Sequence, residues 1–236
     1  MPESAYAMYL RLPELLSLQH PRSGSQEEIR ASENFFIVVH QSAELLAQQV
    51  IVDLRAVVHA SEHNPCDWVS AESRLSRAIG LLRFLRQHLT VLDHLPREHF
   101  HAFREKLGTA SGHQSEQFAK IFAMLGRSEE SHHPTPMFAA LGGGENAGWS
   151  MSEPGDGGES GGGVPTLVME RLAALQEAVN SWRAAHITLV QRMLGDAPGT
   201  GGTAGAAWLQ SRLVSAQDSD GPVPSADHLH RAAVGG

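Results

Sequence analysis

Apolar residues recur at spacings of three and four over most of this chain, the pattern of helices that bury one face. The longest such stretch is predicted to be a helix over 26–60. Its repeating positions are Phe36, Val39, His40, Ala43, Leu46, Val50, Leu54 and Val57. The middle of this helix, 35–39, is apolar on every side, so we expect several neighbours to bury it. Further helices are predicted at 69–93, 96–107, 115–125, 167–194 and 206–214.

The remaining segments complete an all-α prediction. The stretch 6–18 is predicted to be one apolar segment with Pro13 in its first turn, where proline is tolerated. Glycine fills 10 of the 22 positions in 142–163, so we expect a flexible insert there. A disordered tail is expected from 215 to 236. No alternating strand pattern occurs, which indicates a helical bundle forming one domain over 1–214.

Composition narrows the class of protein. The net charge is -8 and no Lys/Arg stripe occurs, which argues against nucleic-acid binding. No continuous apolar run is long enough for a membrane span. Cys66 is the single cysteine, so no internal disulfide can form, and residues 1–4 lack the features of a signal peptide. We therefore expect a cytoplasmic protein.

Two histidines occupy apolar helix faces. His40 follows Phe36 by one turn, and a buried imidazole there needs a hydrogen-bond partner. It is either a core histidine or a polar group beside an aromatic wall that suits a flat substrate carrying an N–H. His186 follows Trp182 by one turn. It is either a core histidine or the single neutral ligand that a haem iron requires.

Two further features, an arginine and a Gly-rich run, each allow a structural and a ligand-binding interpretation. Arg104 follows Phe100 by one turn, and it either points into solvent or holds a substrate carboxylate through two parallel hydrogen bonds. The Gly-rich run 199–205 is either a flexible turn or a loop whose N–H groups bind an anion. It lacks the lysine of a phosphate-binding loop. The residues alone thus predict a helical bundle with two unexplained histidines.

Five blocks, taken in order over most of the chain, resemble the tryptophan 2,3-dioxygenase family. They are Tyr6-x-x-Tyr9-Leu10-Arg11-Leu12 with 15–19; 36–41 with Glu44-Leu45; Phe103-Arg104 with Leu107-Gly108 and Ser111-Gly112-x-Gln114-Ser115; Trp182-Arg183-x-x-His186 with Val190 and Arg192; and Gly199-Thr200-Gly201-Gly202-Thr203-x-Gly205 with Leu209. The resemblance implies a helical bundle that holds haem b between helices and oxidises an aromatic amino acid with O2 or peroxide.

The resemblance also implies residue roles. His186 would be the axial ligand of the iron, and His40 the catalytic histidine that hydrogen-bonds the indole N–H. Substrate contacts are implied for Phe36, Phe100, Arg104 and Thr200, and for Tyr6 and Tyr9 from a neighbouring subunit. Haem contacts are implied for Trp182, Ser111, Gly112 and Gly201. The family further implies a homodimer or homotetramer with shared active sites.

The chain departs from the family pattern in four places. Phe100 replaces a tyrosine, Leu46 a tryptophan and His113 a phenylalanine, and the Gly-rich stretch replaces a helical segment between 126 and 167. These changes favour a specialised relative of the kind found in bacterial natural-product pathways. Three functions follow: an oxygenase of tryptophan or a substituted tryptophan, inserting two oxygen atoms or one; a haem-dependent tyrosine hydroxylase; or a non-catalytic haem-binding module.

Overall fold

The computed structural model describes residues 4–61, 63, 66–125, 165–195 and 197, and all regular secondary structure in these ranges is helical. The helices are α1 (Ala5–Leu10), α2 (Leu12–Leu15), α3 (Glu27–Ser61), α4 (Trp68–Leu89), α5 (Arg97–Arg104), α6 (Glu116–Met124) and α7 (Thr166–Leu194). Short 3-10 turns are Thr90–His94, Glu105–Leu107 and Gly112–Gln114. The all-α prediction is confirmed. The predicted insert 142–163, the helix 206–214 and the tail from 215 lie outside the described residues.

The N-terminal segment differs from its prediction. The stretch 6–18 is not one segment, because Arg11 adopts a left-handed conformation with φ of 51° and separates α1 from α2. Pro13 lies in the first turn of α2, as expected. The Arg11 side chain pairs with Glu14 at 2.8 Å. A positive φ at a residue other than glycine leaves no trace in the apolar pattern, so the break could not be read from it.

The central helix of the bundle is α4, against which both α3 and α7 pack extensively. The shared core is aliphatic, and each fully buried leucine or valine contributes about 1.5–3 kcal/mol relative to an exposed one. Its main members are Ala47, Val50, Leu54 and Val57 of α3, Leu75, Ile79, Leu82 and Leu85 of α4, and Leu175 and Val179 of α7. The predicted apolar faces of the three helices are therefore the faces that pack.

One buried ion pair joins α3 to α4. The Asp53 side chain is fully buried and accepts hydrogen bonds from both Nε and a terminal nitrogen of Arg77, the Nε bond being 2.8 Å long. Gln49 and Arg74 add contacts of 3.3 and 3.4 Å. Burial would raise the pKa of Asp53, but these hydrogen bonds and the two guanidinium charges hold the pKa below its usual range.

The first half of α3 is less covered than predicted. Within 35–39, Val39 is buried, but Val38 is 44% exposed, so the expectation of burial on several sides is wrong. Leu45 and Val52 continue this exposed stripe at heptad spacing, 56% and 44% exposed. The reason is that α5 and the turn after α4 cover this half on one side only.

The prediction that no segment could span a membrane needs one correction. By length and composition alone, α3 is apolar enough to do so, with a mean hydropathy of 1.4 over its best window. Core helices of bundles pass the same test. The helix also carries the buried side chains of Glu33 and Asp53 and packs against α4, α5 and α6.

The segment before α3 is fastened to that helix. Glu33 is buried and accepts the backbone N–H groups of Arg22 and Ser23 at 2.9 and 2.6 Å. Two turns later, Gln41 donates its amide N–H to the carbonyl of Leu18 at 3.1 Å. These bonds fix where the N-terminal segment leaves the bundle, while α1 and α2 pack on each other.

Candidate active site

The two predicted histidines lie on different helices of the bundle. Although α3 and α7 each pack on α4, no extensive packing joins α3 to α7 within the described ranges. His40 lies on α3 and His186 on α7. The pKa of His186 is lowered to about 4, first by burial and then by the charge that His40 would carry. Charge effects of this kind weaken with distance, so this one is consistent with His40 and His186 facing the same part of the bundle.

Apolar clusters flank His40 along α3. Along α3, His40 falls between the core around Ala47 and a second cluster that contains Val39, Phe100, Phe103 and Met193.

His40 is held in one tautomer. Its Nδ1 lies 2.7 Å from the carbonyl oxygen of Phe36, and because a carbonyl only accepts, Nδ1 carries the proton and donates. Burial lowers the pKa of His40; the Phe36 bond and the Glu44 charge raise it less, and the His88 charge lowers it further. The ring is therefore neutral at pH 7, with a free lone pair on Nε2. Water reaches it although protein surrounds most of it, as for a residue lining a cleft.

His186 is oriented by stacking. Its ring lies parallel to that of Trp182, 5.2 Å between centroids and 6° between planes. The buried Trp182 ring stacks in turn on Phe118 of α6 at 4.2 Å and 12°. No hydrogen bond to the His186 ring is present among the described residues. Three parallel rings thus fix the imidazole plane and leave its nitrogens available.

This donor set fits a haem iron. A haem needs one protein ligand, and a neutral imidazole facing a bundle interior supplies it. No group of three or more His, Cys, Asp or Glu side chains that could hold a metal ion occurs in the described part of the chain. Trp182 and His186, which the sequence singled out together, lie with their rings parallel, as a metal-binding imidazole and a supporting ring would.

An aromatic wall adjoins His40. The Phe36 ring lies 3.9 Å from the His40 ring, 5.9 Å from Phe100 and 5.5 Å from Phe103. Phe100 and Phe103 meet edge to face at 5.5 Å, and both are buried. The surface offers apolar contact to a flat ring next to one hydrogen-bond acceptor. Arg104 follows directly at the end of α5, with its Nε buried.

The other predicted residues that the structure describes make no hydrogen bond or ring contact with His40 or His186 in the single chain. Tyr6 and Tyr9 lie on α1, 69% and 88% exposed. Ser111 and Gly112 lie at the start of the 3-10 turn Gly112–Gln114. The Ser111 N–H donates to the Gln114 side chain at 3.1 Å, and Ser111 and Gln114 form a capping box. Thr200 and Gly201 lie outside the described residues.

Sequence reasoning did not single out four residues that lie at or beside the site. Phe103 follows Phe100 by three residues, a helical spacing that could have indicated a shared face. Phe118 stacks on Trp182 from another helix, and Ser32 lies 2.8 Å from His99 across two helices. Contacts between helices depend on how the helices are packed, and no local pattern signals them.

Comparison with known proteins gives a consistent result. The family model described as tryptophan 2,3-dioxygenase matches residues 1–136 and 158–218, and the unmatched stretch lies largely within the Gly-rich insert. The tryptophan 2,3-dioxygenase of Anaeromyxobacter dehalogenans (strain 2CP-C) is 33% identical, over 89% of this chain and 91% of its own. That of Anaeromyxobacter sp. (strain K) is 32% identical with the same coverage. That of Herpetosiphon aurantiacus is 30% identical, over 88% and 92%.

Proposed function

Because this chain belongs to the tryptophan 2,3-dioxygenase family, we propose that it is a haem-dependent oxygenase of L-tryptophan or a substituted tryptophan. The product would be of the N-formylkynurenine type after insertion of two oxygen atoms, or a 2-oxindole after insertion of one. The observation that carries the proposal is the pair of neutral imidazoles: His40, held by the Phe36 carbonyl, and His186, whose ring lies parallel to that of Trp182.

We propose that His186 holds the iron of haem b. Its low pKa keeps the ring neutral with a lone pair free, and the Trp182 ring holds its plane. Bound haem supplies the site at which O2 is bound and activated. Further contacts to the macrocycle are proposed for Trp182, Ser111, Gly112 and Gly201.

His40 is proposed to orient the substrate. Its neutral Nε2 accepts a hydrogen bond from an indole N–H, because Nδ1 is already engaged by the Phe36 carbonyl. The rings of Phe36 and Phe100 pack against the indole. Fixing the ring in one pose lets positioning lower part of the barrier.

The amino-acid end is proposed to be held by charge. Arg104 offers a bidentate pair to the carboxylate, and Thr200 approaches the carboxylate and ammonium groups. Phe100 has no hydroxyl, so one donor found in the family is missing here.

We propose a homodimer or homotetramer in which α1 of one copy completes the site of another. Tyr6, Tyr9 and Met8 are exposed in the single chain, which supports such a partner. The molar mass measured by light scattering is expected to exceed that of one chain, and a purely monomeric active protein would contradict this assembly.

We also propose that the protein acts in the cytoplasm, which the single Cys66 favours.

The test is a panel of L-tryptophan, methyl-tryptophan and tyrosine incubated with haem-loaded protein, with products weighed by mass spectrometry. A gain of two oxygen atoms on an indole substrate indicates dioxygenation, and a gain of one indicates mono-oxygenation. His186→Ala is the matched control and should abolish stable haem binding, while His40→Ala should retain haem. Protein without a Soret band after haem supplementation would sink the proposal.

A haem-dependent tyrosine hydroxylase, using peroxide, is the second candidate. Phe100 and His113, which replace a tyrosine and a phenylalanine of the family pattern, motivate it, because both replacements alter the polarity of the proposed pocket. Oxygen gained by tyrosine alone would identify it.

Haem binding without turnover or a spectral shift would indicate a non-catalytic module. The stretch 137–157, unmatched by the family model, supports a specialised, natural-product role in any of these cases.

A further inference from the structure

We propose that His99, through its hydrogen bond to Ser32, is a positioning residue that fixes α5 along α3 and so sets the grip of Arg104 on the substrate carboxylate. The role of Arg104 in this inference rests on the proposed function. Nδ1 of His99 lies 2.8 Å from Oγ of Ser32, and both side chains are half-buried. The bond joins two helices that are 67 residues apart in the chain.

The contact belongs to a stripe that leads into the site. Ser32, Phe36 and His40 are spaced by four residues, so they lie on one face of α3. Ser32 bonds His99, and one turn later Phe36 meets Phe100 of the same short helix. One turn further stands His40. Helix α5 is thus docked on α3 over the two turns that precede the catalytic histidine.

A directional contact is needed at this place. Ring packing such as that between Phe36 and Phe100 is non-directional and tolerates small sliding or rotation. A hydrogen bond depends on both distance and angle, so it selects one register. Pro96 gives α5 no side-chain cap, and a helix of 8 residues is marginal on its own, so the position of α5 is set by its contacts.

Arg104 transmits that register to the substrate. It lies five residues after His99 on the same continuous helix, so a shift of α5 moves the guanidinium with it. Bidentate recognition of a carboxylate is sensitive to small displacements. Loss of the Ser32 bond should therefore weaken substrates that carry a carboxylate and spare those that do not.

Binding titrations test this prediction on the haem-loaded full chain. L-tryptophan and tryptamine, which lacks the carboxylate, are titrated while the Soret band is followed. Ser32→Ala and His99→Phe are each expected to weaken tryptophan binding about threefold to tenfold, the worth of one hydrogen bond. Tryptamine binding should stay within about twofold. In turnover, KM for tryptophan rises and kcat stays unchanged.

Two variants serve as controls. Ser32→Thr keeps the hydroxyl and should restore tryptophan affinity. His94→Phe replaces an exposed histidine in the turn before α5 and should have no effect. Equal loss for tryptophan and tryptamine, or unchanged affinity for both, would overturn the inference.

A second measurement needs no substrate. Amide hydrogen exchange across 97–104 should be faster in Ser32→Ala and His99→Phe than in the unaltered protein, because opening of α5 becomes easier. Unchanged exchange would overturn the positioning role. If the unaltered protein shows no spectral response to either ligand, the proposed function fails, and exchange alone decides whether His99 holds α5.

Discussion

The two halves of α3 share one apolar repeat and serve different purposes. In the second half, Val50, Leu54 and Val57 are fully buried against the bundle. In the first half, Phe36 is half-buried and water reaches His40. The difference comes from the partner: the second half meets the long helix α4, whereas short α5 covers the first. The same periodicity therefore builds a core where a long helix covers it and a cleft where a short one does.

The largest effect should come from the core half. Leu54→Ala removes a fully buried side chain next to α4 and should cost about 2–5 kcal/mol of unfolding free energy. Denaturant titration measures it. Val52→Ala, two residues away and 44% exposed, is the matched control and should change the same quantity by about 0.5 kcal/mol or less. Equal costs for both would erase the contrast between the faces.

The second largest effect on stability should come from the ion pair between Asp53 and Arg77, which lies in the same half of α3. Asp53→Asn should cost about 2 kcal/mol at neutral pH, less than for a fully buried pair because Arg77 is half-exposed. The folded-state pKa of Asp53 is depressed, so its stabilisation is present above the unfolded pKa of about 4 and is lost as pH falls through the folded value. Unfolding from pH 7 downwards should show this acid loss in the unaltered protein and less of it in Asp53→Asn.

In the cleft half, function should suffer and stability should not. His40→Ala should lower kcat/KM for the indole substrate about tenfold, since one hydrogen bond to the substrate is lost. Haem content and the denaturation midpoint should match those of the unaltered protein, because the ring lines a cleft rather than filling a core. A variant that unfolds, or loses haem as His186→Ala does, would contradict the division.

The smallest effect should be that of pH on kcat/KM through the titration of His40. Because burial lowers the pKa of His40 below 6.5, the ring is already neutral at pH 7. The kcat/KM value should stay flat from about pH 8 to about pH 6.5 and fall only in more acidic solution. An apparent pKa at or above 6.5, assigned by its loss in His40→Ala, would show that the ring titrates as an ordinary exposed histidine.

Much of the fold followed from periodicity. The helix predicted at 26–60 is Glu27–Ser61, and that predicted at 167–194 is Thr166–Leu194. The break at Arg11 and the exposure of Val38 did not follow, because one is a backbone conformation and the other depends on tertiary cover. At the site, the apolar helix faces singled out His40 and His186, and the family resemblance supplied their proposed roles. The roles given to Thr200 and Gly201 stay predictions.

Contacts between helices were beyond sequence reasoning. The ring of Phe118 on Trp182, and the Ser32 bond to His99, join residues that are far apart in the chain. Which turns of two helices face each other is decided by packing over their whole length. Local spacing carries no information about it.

The placement of α4 has a consequence for how such a cleft changes over time. Both α3 and α7 pack on α4, which carries none of the residues proposed to contact substrate or haem. The diameter of α4 therefore helps to set how far apart α3 and α7 lie. Ala71 and Ala78 are both fully buried, and their small side chains let the neighbouring helices approach α4 closely. Bulkier residues there would disturb the packing of α3 and α7 on α4 while every proposed contact residue stayed the same. Changes in α4 can thus alter the placement of α3 and α7 although α4 carries none of the residues proposed to contact substrate or haem.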